Sequence, residues 1–282
     1  MTTGTNQRKR MVLAPKLGAI LGLSCLTLAT LMLGQRPAQA QVGLSPLVIE
    51  AEAERGQTQG VINVRNTSNQ EFRARVYAEP FTYDPETGFQ ILPEESPSNL
   101  APYLQFSPRE LVIPPGVTRR VRFVVRFPPS LEDREYRAVL FTESLEETTV
   151  SSGGVNVGVT ARIGATVYVC KGAFAPELTV ESASWNPALN QPQILVANRG
   201  GASARPTAAW TLRQAGVTVA TGNIPPSGVI AGSERQLTLE ISEELSLAAG
   251  AYQLTGKLIW NEENSQPFSI ELIIPNRTTA AQ

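Results

Sequence analysis

The sequence predicts an all-β protein of two β-sandwich domains in tandem behind an export signal. Three observations carry this. Beyond residue 40, short runs of alternating apolar and polar residues are separated by Gly, Pro, Asn and Ser, with no long amphipathic helix. A weak internal repeat divides that stretch into two similar halves. The first 40 residues have the charge, apolar run and small residues of a secretory signal.

The signal comes first. Arg8, Lys9, Arg10 and Lys16 form a positive region, and an apolar run from Leu17 to Leu33 follows. Then comes Gly34-Gln35-Arg36-Pro37-Ala38-Gln39-Ala40, whose Ala-x-Ala order places cleavage after Ala40. The alternative is an uncleaved anchor, because the run approaches the roughly 18 apolar residues of a membrane helix. The small residues after Pro37 favour cleavage. Cys25 lies inside the apolar run rather than at its end, which argues against lipid attachment.

Five of the 24 basic residues and none of the 25 acidic ones fall in the signal. The remaining chain therefore carries 19 basic against 25 acidic residues, a formal net charge of −6. No basic block stands out, so nucleic acid is not an expected partner. Cys170 is the only cysteine after cleavage, which removes any intramolecular disulfide. It reads as a small buried hydrophobe. The chain contains no histidine. That excludes Ser-His and Cys-His catalysis and ordinary zinc sites. Acid clusters remain, at Glu143, Glu146 and Glu147 and at Glu243 with Glu244. They read as solvated strand ends and loops, so no enzyme, cofactor, metal or small-molecule substrate is expected. Asp84-Pro85-Glu86-Thr87-Gly88 lacks the alternating acids of a calcium loop and reads as a hairpin turn.

The clearest alternating segments are 60–65, 73–77, 120–125, 155–159, 236–241 and 268–272. Many short strands with turn signals between them indicate antiparallel, immunoglobulin-like sandwiches. The repeat sets their number. Val64-Arg65-Asn66-Thr67-Ser68 resembles Val196-Ala197-Asn198-Arg199-Gly200. The segment from Gly116 to Phe123 matches that from Gly232 to Leu239 as Gly-x-x-Arg-x-apolar-x-apolar. Tyr136 and Tyr252 each follow their glycine by 20 residues. The Asn-to-Gly spacing is 50 in the first copy and 34 in the second. The extra 16 residues fall around Thr82 to Tyr103, where an inserted hairpin and loop fit. A boundary at Lys171 to Pro176 then gives a signal at 1–40, domains at 42–172 and 173–275, and a tail at 276–282. Both domains have ordinary sizes.

The first of these domains resembles the PapD-like periplasmic chaperones of pilus assembly. The likeness rests on Leu111-Val112-Ile113-Pro114-Pro115-Gly116 leading into Arg119-Arg120-Val121-Arg122-Phe123. It continues through Pro129-Ser130-Leu131-Glu132-Asp133-Arg134-Glu135-Tyr136-Arg137-Ala138-Val139-Leu140-Phe141 and the alternating strand Val155 to Ile163. It covers most of 42–172 and extends more weakly over the second domain.

The resemblance implies a boomerang of two sandwiches with a cleft between them. It implies that Val155, Val157 and Val159 form a partner-binding row on the last strand of the first domain, completing a client's sheet by strand addition. Read from the residues alone, the same valines fit the domain's own core, and that alternative stays open here. Glu135 matches a family position in an interdomain ionic network; otherwise it is a solvated acid after a turn. The family's two basic carboxylate anchors are missing. The early one would fall in Leu44-Ser45-Pro46-Leu47-Val48, and the later one at Gly164. Arg162, two residues earlier, is the remaining candidate for a carboxylate contact.

These features lead to a periplasmic, non-enzymatic chaperone-like protein whose partners are pilus or cell-surface protein subunits. The alternative is a structural or adhesive cell-surface module of the same fold.

Overall fold

A computed structural model describes residues 42–152, 155–242 and 244–276. The expected signal and its cleavage point, Glu243, and the tail beyond Asn276 lie outside these residues. The described chain is two immunoglobulin-like β-sandwiches in tandem.

The first contains β1 (Val42–Ser45), β2 (Val48–Glu52), β3 (Gln57–Asn66), β4 (Phe72–Glu79), β5 (Phe81–Asp84) and β6 (Gly88–Ile91). After a 3-10 turn at Ala101–Tyr103 come β7 (Leu104–Ser107), β8 (Glu110–Ile113), β9 (Thr118–Arg126), β10 (Arg134–Ser144), β11 (Thr148–Ser152), β12 (Val155–Val159) and β13 (Arg162–Lys171). One sheet runs β1-β3-β9-β7 and the facing sheet β2-β13-β10-β4-β8. Alternation decides which side chains meet between them: Ile62 and Val64 of β3, Val121, Phe123 and Val125 of β9, and Val167 and Val169 of β13. At Gly60, opposite Phe123, a Cβ would lie 2.3 Å from the Phe123 ring, so only glycine lets the ring lie across the strand.

The second sandwich contains β14 (Leu178–Asn186), β15 (Gln191–Asn198), β16 (Thr207–Gln214), β17 (Val217–Ile224), β18 (Glu234–Thr238), β19 (Gly250–Ile259) and β20 (Ser265–Ile274). Its sheets run β14-β15-β18 and β17-β16-β19-β20, packed around Ile194, Val196, Trp210, Leu212, Leu254 and Leu272. The alternating run at 236–241 is strand only to Thr238. Beyond it Leu239 stays buried and donates its N–H to Pro192 O at 2.8 Å.

The internal repeat has a physical basis. Asn66 and Asn198 are both fully buried and make the same four bonds. Each donates Nδ2 to the carbonyl four residues on, at 2.6 Å (Gln70) and 2.8 Å (Ala202). Each also donates to the carbonyl three residues before the repeat's glycine, Ile113 at 2.8 Å and Val229 at 3.2 Å. Each accepts at Oδ1 from the N–H two residues on, Ser68 at 2.9 Å and Gly200 at 3.0 Å. The backbone N–H of each bonds the carbonyl just after that glycine, Val117 and Ser233. Gly116 and Gly232 themselves have φ of 73° and 66°, the left-handed region that favours glycine. Tyr136 and Tyr252 donate their hydroxyls to the carbonyl four residues back, Glu132 and Ala248, both at 2.8 Å. The spacing of 20 is thus two copies of one corner.

The extra residues of the first copy form the β5–β6 hairpin. Asp84 Oδ1 accepts from the N–H groups of Glu86 (3.0 Å) and Thr87 (2.8 Å), closing the turn. These bonds hold its carboxyl below the ordinary carboxylate value.

Candidate functional site

The site is built on the hairpin of β10 through β13. β10 pairs antiparallel with β13, and β11 continues the same pairing with β12. β2 pairs in parallel with β13 only from Thr166 to Cys170. Among the described residues, β12 pairs with β11 alone and Arg162–Ala165 with β10 alone. The other side of that stretch has no strand partner.

Ile163, Ala165, Val167 and Val169 lie against the first core. The same odd-numbered parity leads back to Val159, Val157 and Val155, past the end of the sandwich. Val157 is 51% exposed and Val159 is 45% exposed. These two are not core residues, which corrects the alternative that they face their own domain. Neither belongs to the buried core of the first sandwich. The side chain of Val155 lies outside the described residues.

Arg162 is exposed at the base of this edge. Its guanidinium lies 4.2 Å from the Phe141 ring centre and donates to the Tyr77 hydroxyl at 3.3 Å. Tyr77 donates in turn to Glu143, which also pairs with Arg75 at 2.6 Å. The register explains the cluster: Glu143 of β10 stands opposite both Arg162 and Arg75, and Phe141 opposite both Gly164 and Tyr77. The Tyr77 and Arg75 bonds hold the Glu143 carboxyl below the ordinary 4.5. The expectation of a solvated Glu143 is therefore corrected: it is a mid-sheet acid with two donors on β4, Arg75 and Tyr77, and Arg162 opposite it on β13. Gly164 has a local reason to be glycine. A Cβ there would lie 2.5 Å from Val139 Cγ2 and 3.0 Å from the Phe141 ring.

Glu135 sits at the junction of the sandwiches and is buried. Its carboxylate accepts from Ser203 N–H at 2.6 Å and from Ser203 Oγ at 2.5 Å, and lies 3.6 Å from Arg137 Nη1. Burial pushes its carboxyl above the ordinary 4.5, against the lowering effect of the Ser203 bonds and Arg137. Arg134, the residue before it, pairs with Glu132. Beside Glu135 opens a cleft of about 310 Å³, lined by Glu50, Glu52, Tyr168, Cys170 and Phe174. The titratable lining is acidic, and burial pushes the Cys170 thiol up to about 12. Arg205 pairs with Glu50 and lies 4.8 Å from the Tyr168 ring centre. Ile230 of the second sandwich packs with Phe81, Val139, Phe141 and Tyr168 of the first.

Sequence reasoning missed Tyr77, Phe141, Ser203 and Ile230. Tyr77 carried a signal, as an aromatic in the alternating run 73–77, whereas Phe141 lies in the continuous apolar run Ala138–Phe141 of β10. Ser203 and Ile230 lie in loops with no pattern to mark them. Among the described residues, no group of three or more His, Cys, Asp and Glu is placed to hold a metal ion. No helix among them is long and apolar enough to cross a membrane.

No family model matches the chain, and no curated protein matches it. Solved structures do. The chain is similar to the class 5 fimbriae chaperone CfaA at 12% identity and a TM-score of 0.45, covering 81% of this chain and 98% of that one. It is similar to the CsuC–CsuE chaperone–tip adhesion subunit complex of Acinetobacter baumannii at 14% identity and a TM-score of 0.45, covering 83% and 98%. The SafB chaperone–SafA pilin complex of Salmonella enterica gives 10% identity and a TM-score of 0.42, covering 85% and 99%.

Proposed function

We propose that this protein is a periplasmic chaperone-like protein that binds pilus or cell-surface subunits by strand addition, without catalysis. One observation carries the reading: among the described residues, the edge of β12 and the start of β13 has a strand partner on one side only, with Val157 and Val159 exposed along it. An unpaired edge offers backbone N–H and C=O groups in register, and alternating valines supply side chains for a client's groove. The client is taken to be an extracytoplasmic subunit, such as the pilins and tip adhesins named with the chaperones above. Residues 1–40 would direct export and be removed by cleavage after Ala40.

The reading includes Arg162 as a candidate carboxylate contact, with a guanidinium already steadied by Phe141 and Tyr77. It also includes Glu135 as an interdomain tie. The basic anchors being absent, client residues beyond the terminal carboxylate should be tolerated.

The test is Val157→Asp, followed by circular dichroism and client capture from the periplasm. A folded variant that loses its client supports strand addition, because an unpaired carboxylate is strongly unfavourable in an apolar groove. A folded variant that keeps its client, or an unfolded one, overturns it. Retention would favour the structural or adhesive module.

A further inference from the structure

The sheet β1-β3-β9-β7, on the other side of the first sandwich from the open edge, has an unusual charge distribution. Its four strands contain five arginines, Arg65, Arg119, Arg120, Arg122 and Arg126, and no acidic residue. The remainder of the exported chain is acidic. Strand alternation sorts these arginines by face. Val121, Phe123 and Val125 point into the core, so Arg120, Arg122 and Arg126 stand on the outer surface of β9. Ile62 and Val64 of β3 also point inward, which puts Arg65 on the same outer surface.

The register leaves these charges uncompensated. Arg120 lies opposite Asn63, Arg122 opposite Val61 and Ser107, and Arg126 opposite Gln57. Arg126 donates to Gln105 at 3.1 Å. Among the described residues, Arg65, Arg119, Arg120 and Arg122 make no ion pair. Two like charges on one strand face, with no acid beside them, add nothing to folding. Edge protection does not explain them either, since β9 lies inside its sheet between β3 and β7. Nor does solubility, because their sign opposes the net charge.

Their geometry indicates a ligand class. Arg120 and Arg122 are about 7 Å apart along the strand, and the row from Arg120 to Arg126 runs about 20 Å. It is a line of guanidiniums flanked by the amides of Asn63, Gln57 and Gln105. At the Arg126 end lies a depression of about 660 Å³ lined by Gln57, Gln59 and Val124 together with Arg55, Glu52 and Glu54. A bilayer would ask for a plane of charge with an apolar anchor, and a twisted sheet offers a line. An acidic strand could not add here, because the backbone of β9 is already paired on both sides.

We propose that this face binds a linear anionic polysaccharide. Its acidic groups would meet the arginine row, and its hydroxyls the flanking amides. The inference does not rest on the strand-addition reading, since it uses the opposite sheet.

The test measures binding of fluorescent oligogalacturonate by anisotropy at low salt, with the exported protein. Arg120→Glu with Arg122→Glu should weaken binding at least tenfold and flatten its salt dependence while circular dichroism stays unchanged. Arg213→Glu with Lys257→Glu makes the same change of net charge on exposed strands of the second sandwich, and should leave binding within twofold. The proposal is overturned by no binding of the wild type, or by equal loss in both double variants. It is also overturned if anionic vesicles, nucleic acid or a second copy of the chain depend on Arg120 and Arg122 and oligogalacturonate does not. A double variant that fails to fold is replaced by Arg120→Gln with Arg122→Gln, judged by the same criteria.

Discussion

Glu135 and Ser203 tie the two sandwiches together, the buried carboxylate accepting from both the backbone N–H and the hydroxyl of one residue 68 positions away. The tie is shared with the Arg205–Glu50 pair and the Ile230 contact. Glu135→Ala should therefore loosen the relative orientation of the domains more than it lowers the melting temperature. Solution scattering reads the first and calorimetry the second. A scattering profile that overlays the wild type would show that the other two contacts suffice.

The two buried or half-buried carboxylates of the first domain should oppose each other in pH dependence. Glu135 is raised above 4.5, chiefly by burial, so the folded state holds its proton more tightly than the unfolded chain. Its contribution is full below 4.5 and is lost as pH rises through the folded value. Glu143 is lowered by the Tyr77 and Arg75 bonds, so its contribution is present above 4.5 and is lost as pH falls. Thermal melts across pH should show Glu135→Gln flattening the decline above 4.5, and Glu143→Gln flattening the loss below it.

Asn66→Ala and Asn198→Ala should each destabilise their own sandwich. Each removes a side chain that satisfies two carbonyls and an N–H at a buried corner, at a cost of about 1–3 kcal/mol for each group left unpaired. All three tryptophans, Trp185, Trp210 and Trp260, belong to the second sandwich. Denaturation followed by tryptophan fluorescence should therefore shift for Asn198→Ala. Asn66→Ala should show mainly in far-ultraviolet circular dichroism.

Cys170 should be chemically silent. With its thiol near 12, almost none is thiolate at neutral pH, and the side chain is buried. Ellman's reagent should find no reactive thiol in the folded protein prepared without residues 1–40 and one after guanidinium unfolding. Cys170→Ala should cost about 1 kcal/mol.

Restoring a basic residue at Gly164 should fail structurally. A side chain there meets Val139 and Phe141, so Gly164→Lys should destabilise the first domain by about 1–3 kcal/mol of overpacking. A variant as stable as wild type in urea would show that the Phe141 ring can move aside.

The sequence by itself determined what depends on local pattern and spacing. Period-two alternation marked the strands because a pleated strand sends successive side chains to opposite faces. The paired Asn, Gly and Tyr positions disclosed two copies of one corner, because each bond in that corner spans a fixed number of residues. The missing histidine removed whole classes of chemistry. Tertiary structure decided what depends on which elements meet. Val157 and Val159 read as core or as edge until the fold left both exposed. Glu143 read as a loop acid until β4 and β13 placed Arg75, Tyr77 and Arg162 around it. The arginines of β9 raised no alarm along the chain. They form a charged face because alternation puts three of them on one side and β3 and β7 bring up amides, serine and valine but no acid. Such facts are set by register between distant strands, which no local pattern encodes.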